Sequence, residues 1–169
     1  MILGLSLGHR TLREADHWLD TQVRPLGGPD LVTCTHLVST PFPHVALSVA
    51  ATETKRFAGL PATPPELRAA AARAAGEHTA RRSGRAVWYP GADRLVGTLT
   101  VGELLAAGAI ERVVVLGGAS AAPETPVHTR DFVRPQWQAG ELVLVTMPHH
   151  RGGLAPFEVP DPTPCCADH

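Results

Sequence analysis

Two short runs of apolar residues most limit the folds that this sequence can adopt. Val113–Leu116 and Leu142–Val145 each place large apolar side chains at four consecutive positions. Because consecutive residues of a strand point to opposite faces of a sheet, both faces of these strands must be covered. Such runs are typical of parallel strands at the centre of a sheet, with helices on either side.

Helix signals lie between the strand candidates. A helix is predicted from about Pro64 to Arg82, because Thr63, Pro64 and Glu66 match an N-cap, a first-turn proline and a capping-box glutamate. Its predicted buried stripe consists of Leu67, Ala71, Ala74 and His78. Further helices are predicted from about Thr11 to Val23 and from Thr100, where a second capping box begins.

These elements together predict an α/β fold. Leu31–Val38 and Val45–Ala51 are predicted to form an antiparallel hairpin, and later strands alternate with helices. We therefore expect a single domain over residues 1–150, with a mixed, mostly parallel sheet flanked by helices. Residues 151–169 are rich in proline and are predicted to form an extended tail without regular structure.

Composition narrows the class of partner. The 15 basic and 16 acidic residues nearly cancel, so the charge gives no strong nucleic-acid signal and no attraction to a membrane surface. The N-terminus lacks the basic region of a signal peptide, and the three cysteines do not form a disulfide-scaffold pattern. We expect a cytoplasmic protein that binds a small-molecule ligand or a protein partner; a homo-oligomer is compatible with this composition.

The C-terminal tail contains the densest set of metal-ligating side chains. His149 and His150 lie upstream of Cys165, Cys166 and His169, at separations of 15 to 20 residues. Thiolate and imidazole are suitable ligands for a divalent transition metal, zinc above all, or a copper-type ion. If the tail folds back onto the domain, the five residues predict a metal site. A metal-dependent hydrolase acting on a small molecule is then the first hypothesis for an enzyme.

A second candidate site follows the first apolar strand. Backbone amides of Gly117 and Gly118 can approach an anion closely, and Ser120 adds a hydroxyl group. Arg130 and Arg134 lie downstream and supply guanidinium groups for a carboxylate or phosphate. These five residues are the predicted ligand-binding set.

An alternative site lies in the N-terminal half. Asp30, followed by Glu53-Thr54-Lys55, resembles the signature of the PD-(D/E)xK nucleases. The resemblance implies that Asp30, Glu53 and Lys55 would be catalytic, with magnesium bound by the acids. It requires Glu53 and Lys55 to continue one face of the second hairpin strand. The alternative function is therefore a metal-dependent nuclease.

A third hypothesis requires no catalysis. The proline-rich tail can dock an accessory subunit onto a protein partner, with Trp137 and Phe157 as apolar anchors.

Three further residues are predicted to belong to the core. Cys34 and His36 alternate onto an apolar strand face, and His78 lies on the alanine stripe of the second helix. A buried contact between His36 and His78 would instead indicate function, and the sequence leaves that contact open.

Overall fold

The computed structural model describes residues 1–160, which form eleven strands and three α-helices. The strands are β1 Ile2–His9, β2 Val32–Val38, β3 His44–Ala50, β4 Arg85–Trp88, β5 Thr98–Thr100, β6 Arg112–Val115, β7 Ala119–Ser120, β8 Pro126–His128, β9 Gln136–Gln138, β10 Glu141–Pro148 and β11 Leu154–Pro156. The helices are α1 Leu12–Trp18, which a π-helical turn continues to Val23, α2 Arg68–Thr79 and α3 Val101–Ala107. Short 3-10 turns lie in the connecting segments.

The sheet is mostly antiparallel, so the predicted mostly parallel sheet flanked by helices is wrong. Among residues 1–160, only β6–β10 and β8–β11 pair in parallel, and helices make up 28%. The strands of the main path are ordered β1-β3-β2-β4-β9-β10-β11-β8-β5. Leu142 and Leu144 are covered by residues of other strands and loops, including Leu95 and Val127. The two apolar runs pair with each other in parallel, as predicted, but the other pairings of β10 are antiparallel and Leu116 is exposed.

Strand β10 connects the strands of the C-terminal half of the sheet, because it pairs with β6, β9 and β11. Val143 is paired with both Gln136 of β9 and Arg112 of β6, so these strands lie on opposite sides of β10. Toward the end of β10, its neighbour on the β9 side is β11. Thr146 is paired there with Pro156 of β11, and on its other side with Val115 of β6. The predicted absence of regular structure beyond residue 150 is therefore wrong at Leu154–Pro156, which enters the sheet.

Helix α1 covers one face of the N-terminal strands. The Thr11 side chain and Glu14 form a capping box at its start. Leu19 and Val23 are buried with Leu5, Leu47 and further apolar residues of β3. Burial of such side chains stabilises each by roughly 1.5–3 kcal/mol relative to exposure.

Helix α2 covers the opposite face, but it begins later than predicted. Pro64 is extended, because the ring of Pro65 disfavours a helical conformation in the residue before it. The Thr63 hydroxyl caps no helix and accepts a hydrogen bond from the backbone N–H of Ser6, at 3.1 Å. The predicted stripe Leu67, Ala71, Ala74 and His78 is buried as expected. Gly4 permits close packing here, since a Cβ on it would overlap the carbonyl oxygen of Ala71.

The predicted capping box of α3 is confirmed. The Thr100 hydroxyl accepts from the backbone N–H of Glu103, and the Glu103 carboxylate accepts from that of Thr100. None of the helices within residues 1–160 has both the length and the apolar character needed to cross a membrane.

Candidate functional site

A polar layer separates α2 from the sheet. Alternate residues of β2 and β3 face the helix, and these are Cys34, His36, Val38, His44, Ala46 and Ser48. The helix contributes three alanines and His78. A helix that packs on a sheet normally buries large apolar side chains, so buried hydroxyl, thiol and imidazole groups in this position require another explanation.

His36 and His78 meet through a serine. The hydroxyl of Ser48 lies 2.8 Å from His36 Nε2 and 2.8 Å from His78 Nδ1. All three side chains are buried, at 7%, 0% and 4% exposure for His36, Ser48 and His78. The contact that the sequence leaves open is therefore made, and Ser48 is the residue that sequence reasoning missed. Its only signal is the two-residue alternation of β3, which places Ser48 on the face of His44.

The imidazole rings of His36 and His78 are both neutral at pH 7. The pKa of His36 is lowered to about 4, mainly by burial and in smaller part by the neighbouring His78. Burial also lowers the pKa of His78 to about 4, with Arg81 as the second cause. A neutral imidazole has one N–H donor and one bare acceptor nitrogen, so each ring can donate to Ser48 or accept from it.

His36 lines a cavity of about 370 Å³ beside the polar layer. Its wall is formed by the end of β2, one face of α2 and the segment from Ser83 to Arg85. Gly84 is required at this wall, because it has φ +129° and a Cβ there would lie 2.8 Å from His36 Cε1.

The cavity wall also carries a partly buried network of charged side chains. The Arg85 guanidinium donates to Asp16 at 2.7 and 2.9 Å and to Glu158 at 2.7 and 2.8 Å. Burial alone would lower the pKa of Arg85, but these hydrogen bonds and the two carboxylate charges raise it. Arg134 also donates to Asp16, at 3.3 Å. The network is balanced in charge, and it ties the segment after β11 to α1.

Cys34 lies beside the hydrogen-bonded residues His36, Ser48 and His78 and is not an activated nucleophile. It is fully buried, and burial raises the pKa of its thiol to about 12. Its interpretation as a core thiol is confirmed.

A second serine–histidine pair is structural. His44 Nδ1 donates to the Phe42 carbonyl at 2.7 Å, so its Nε2 accepts from the Ser6 hydroxyl at 2.9 Å. Ser6 and His44 are both buried.

The predicted metal ligands fall in two places. His149 and His150 lie in the turn between β10 and β11, and the ring of His128 stacks on His149 at 4.2 Å. His128 is engaged by Thr98 and the Gly152 carbonyl. Burial is the largest cause that lowers the pKa of His149. Cys165, Cys166 and His169 lie outside the described residues. Residues 1–160 contain no group of three or more His, Cys, Asp or Glu side chains arranged to hold a metal.

Of the three residues predicted under the nuclease alternative, Asp30 and Glu53 lie close together and Lys55 does not join them. Asp30 and Glu53 line one cleft of about 160 Å³, and Lys55 is absent from the residues that line it. Strand β3 ends at Ala50, so the expectation that Glu53 and Lys55 continue its face is wrong. Asp30 accepts from the backbone N–H of Thr52 at 2.6 Å, and hydrogen bonds from the side chain and the backbone of Thr52 lower the pKa of Asp30. Glu53 is paired with Arg56. Both carboxylates already have partners.

The predicted ligand-binding residues are distributed over three places. Gly117, Gly118 and Ser120 belong to the hairpin of β6 and β7, where the glycines adopt φ values of +98° and +93°. Arg130 follows β8 and acts electrostatically on His149. Arg134 lies against Asp16 and over the ring of Phe132.

The chain was compared with family models, curated proteins and solved structures, and none of them matches it.

Proposed function

We propose that the protein is a hydrolase that uses general-base chemistry on a small polar molecule bound in the 370 Å³ cavity. The observation that carries the proposal is the hydrogen-bonded chain His36–Ser48–His78, whose His36 end lines that cavity. His36 is the catalytic residue, and it removes a proton from water as the water oxygen attacks a carbonyl carbon.

The protonation state of His36 supports this role. A general base must be unprotonated at the working pH, and the lowered pKa of His36 keeps it so down to about pH 4. The other nitrogen of its ring is held by Ser48, which fixes the plane of the imidazole, as a second group does in other histidine sites.

The charged side chains that line the cavity limit the charge that a substrate can carry. Glu77 is paired with Arg82, and Arg85 is paired with Asp16 and Glu158. Of the charged groups that line the cavity, only Arg73 has no ion-pair partner within residues 1–160. The lining therefore supports a small substrate with at most one negative charge.

Hydrolysis of p-nitrophenyl acetate tests the proposal. In this reaction His36 accepts a proton from water, the C–O bond to p-nitrophenolate breaks, and acetate is formed. We expect His36→Gln to lower the rate at least about 100-fold, the lower end of what a general base contributes. The rate that depends on His36 should fall only below about pH 4, where the imidazole becomes protonated.

A matched control separates His36 from surface histidines that attack activated esters. His17 is exposed on α1, so His17→Gln should retain the wild-type rate. Equal rates in wild type and His36→Gln would reject the proposal.

The paired histidines of the β10–β11 turn favour a second candidate function, the transition-metal binding predicted from the sequence. Within residues 1–160, His150 and the Nε2 atom of His149 have no hydrogen-bond partner. The two imidazole rings are therefore available ligands for zinc or a copper-type ion, and Cys165, Cys166 and His169 would complete the set.

Metal content of the untagged full chain tests this second candidate. We expect about one equivalent of zinc in the wild type and a loss of most of it in the double variant His149→Asn/His150→Asn. His17→Asn is the control. Metal content that is the same in all three proteins would exclude a site at this turn.

A further inference from the structure

The hydrogen-bonded chain of the polar layer has two free ends. His36 Nδ1 and His78 Nε2 have no partner within residues 1–160. Neither is among the buried side-chain atoms of this region that lack a partner, which are His9 Nδ1 and Trp137 Nε1. Both free nitrogens are therefore in contact with accessible space.

The two ends open into different cavities. His36 lines the cavity of the proposed active site, whereas His78 lines a second cavity of about 580 Å³. The second cavity is bordered by Trp137 and by Arg81, whose guanidinium lies 4.9 Å from the centre of the Trp137 ring. The chain thus crosses the buried layer from one opening to the other.

Ser48 makes this chain directional. A hydroxyl has one proton, so Ser48 donates to one imidazole and accepts from the other. If Ser48 donates to His78, His36 is protonated on Nε2 and its Nδ1 is a bare base. If Ser48 donates to His36, the proton of His36 is on Nδ1. In either arrangement both rings have the same tautomer.

We propose that Ser48 and His78 exchange protons between His36 and solvent through the second cavity. The proposal rests on the proposed general-base function. When His36 Nδ1 takes a proton, its Nε2 proton passes to Ser48, the hydroxyl proton passes to His78 Nδ1, and the Nε2 proton of His78 goes to water. The reverse transfer restores the first arrangement and gives His36 a proton to donate to the leaving group. All three groups are neutral before and after each transfer.

Ser48 and His78 are thus positioning residues that act through His36. Two charged groups act on the hydrogen-bonded chain: Glu77 of α2 acts on His36, and Arg81, which follows the end of α2, acts on His78. Arg81 disfavours a lasting positive charge on His78, so a proton that arrives there is passed on.

Two measurements test the relay. Nitrogen-15 NMR at pH 7 should show His36 and His78 in the same neutral tautomer, and His78→Phe should convert His36 to the Nδ1–H form, because Ser48 then has His36 as its remaining imidazole acceptor. His78→Ala should lower p-nitrophenyl acetate hydrolysis at least about ten-fold. Added imidazole should restore part of the rate through the second cavity, after subtraction of the hydrolysis that the same imidazole catalyses without protein. A purely structural histidine would not be replaced by imidazole in this way.

The outcomes separate the relay from the proposed function. Different tautomers for the two rings, or a wild-type rate in folded His78→Ala, would overturn the relay while the loss in His36→Gln still supports the general base. A wild-type protein without hydrolysis would overturn the proposed function. Circular dichroism of each variant establishes that it is folded.

Discussion

The two faces of the N-terminal sheet are made by the same strands and differ in chemistry. Toward α1, strand β3 presents Val45, Leu47 and Val49, which pack with large apolar side chains. Toward α2 it presents His44, Ala46 and Ser48, which lie among alanines, histidines and a thiol. The α1 face is what stability alone requires, whereas the α2 face buries polar groups that contribute little stability. This difference is the reason for placing the proposed site on the α2 face.

The largest expected effect comes from acidifying the α2 face. The pKa of His36 and of His78 is about 4 in the folded protein, against an ordinary value of 6.5. Between pH 6.5 and pH 4 the unfolded state therefore binds more protons, so stability falls as the pH drops through this window. We expect a loss of about 3 kcal/mol per histidine at pH 4, measured by urea unfolding.

The double variant His36→Gln/His78→Gln isolates this contribution, because other groups titrate equally in both proteins. The two should differ most in pH dependence between pH 4 and pH 6.5. Parallel stability curves over that range would show that these histidines are not buried and neutral.

Truncation of the α1 face should have the next largest effect. Leu47 is fully buried, so Leu47→Ala should destabilise the protein by about 3 kcal/mol at pH 7 through lost burial and a cavity. Leu37 of the same hairpin is 75% exposed, and Leu37→Ala should change stability by less than about 0.5 kcal/mol. Similar losses in both variants would contradict the packing described for β3.

Removing the Ser48 hydroxyl should affect the free energy of unfolding less than it affects the rate of hydrolysis. In Ser48→Ala a buried nitrogen of each imidazole loses its partner, which costs about 1–2 kcal/mol in urea unfolding. Ser83→Ala on the cavity rim is the control, since Ser83 is exposed. If Ser48→Ala lost as much stability as Leu47→Ala, the polar layer would have a structural role.

The smallest effect concerns the N-terminal cap of α1. Thr11 caps α1, so Thr11→Ala should cost about 1 kcal/mol. Thr21 lies on the same helical segment, and its hydroxyl bonds a carbonyl of the preceding turn, so Thr21→Ala should cost less than Thr11→Ala. Thermal unfolding at pH 7 compares the pair.

Local signals in the sequence predicted local structure. The short proline link predicted the β2–β3 hairpin, and the Thr100–Glu103 spacing predicted the start of α3. The runs Val113–Leu116 and Leu142–Val145 predicted the parallel pair of β6 and β10, but they carry no information on the antiparallel strands that make up most of the sheet. The start of α2 was misplaced because the second proline, Pro65, excludes its predecessor from the helix.

The candidate site depends on contacts between distant parts of the chain. Ser48 and His78 are thirty residues apart and meet because α2 packs on the face of β3 that bears Ser48. The sequence identified both histidines as core residues, but a lone serine in a strand carries no signal of its partners. The Arg85 network was missed for the same reason, since Asp16 and Glu158 come from opposite ends of the chain.

An NMR titration of the histidine rings is the sharpest test of the buried chain His36–Ser48–His78. We expect His36 and His78 to remain neutral until about pH 4, and Ser48→Ala to shift the resonances of both rings. Titration of either ring near pH 6.5, or a response of only one ring to Ser48→Ala, would contradict a buried chain that joins the two imidazoles.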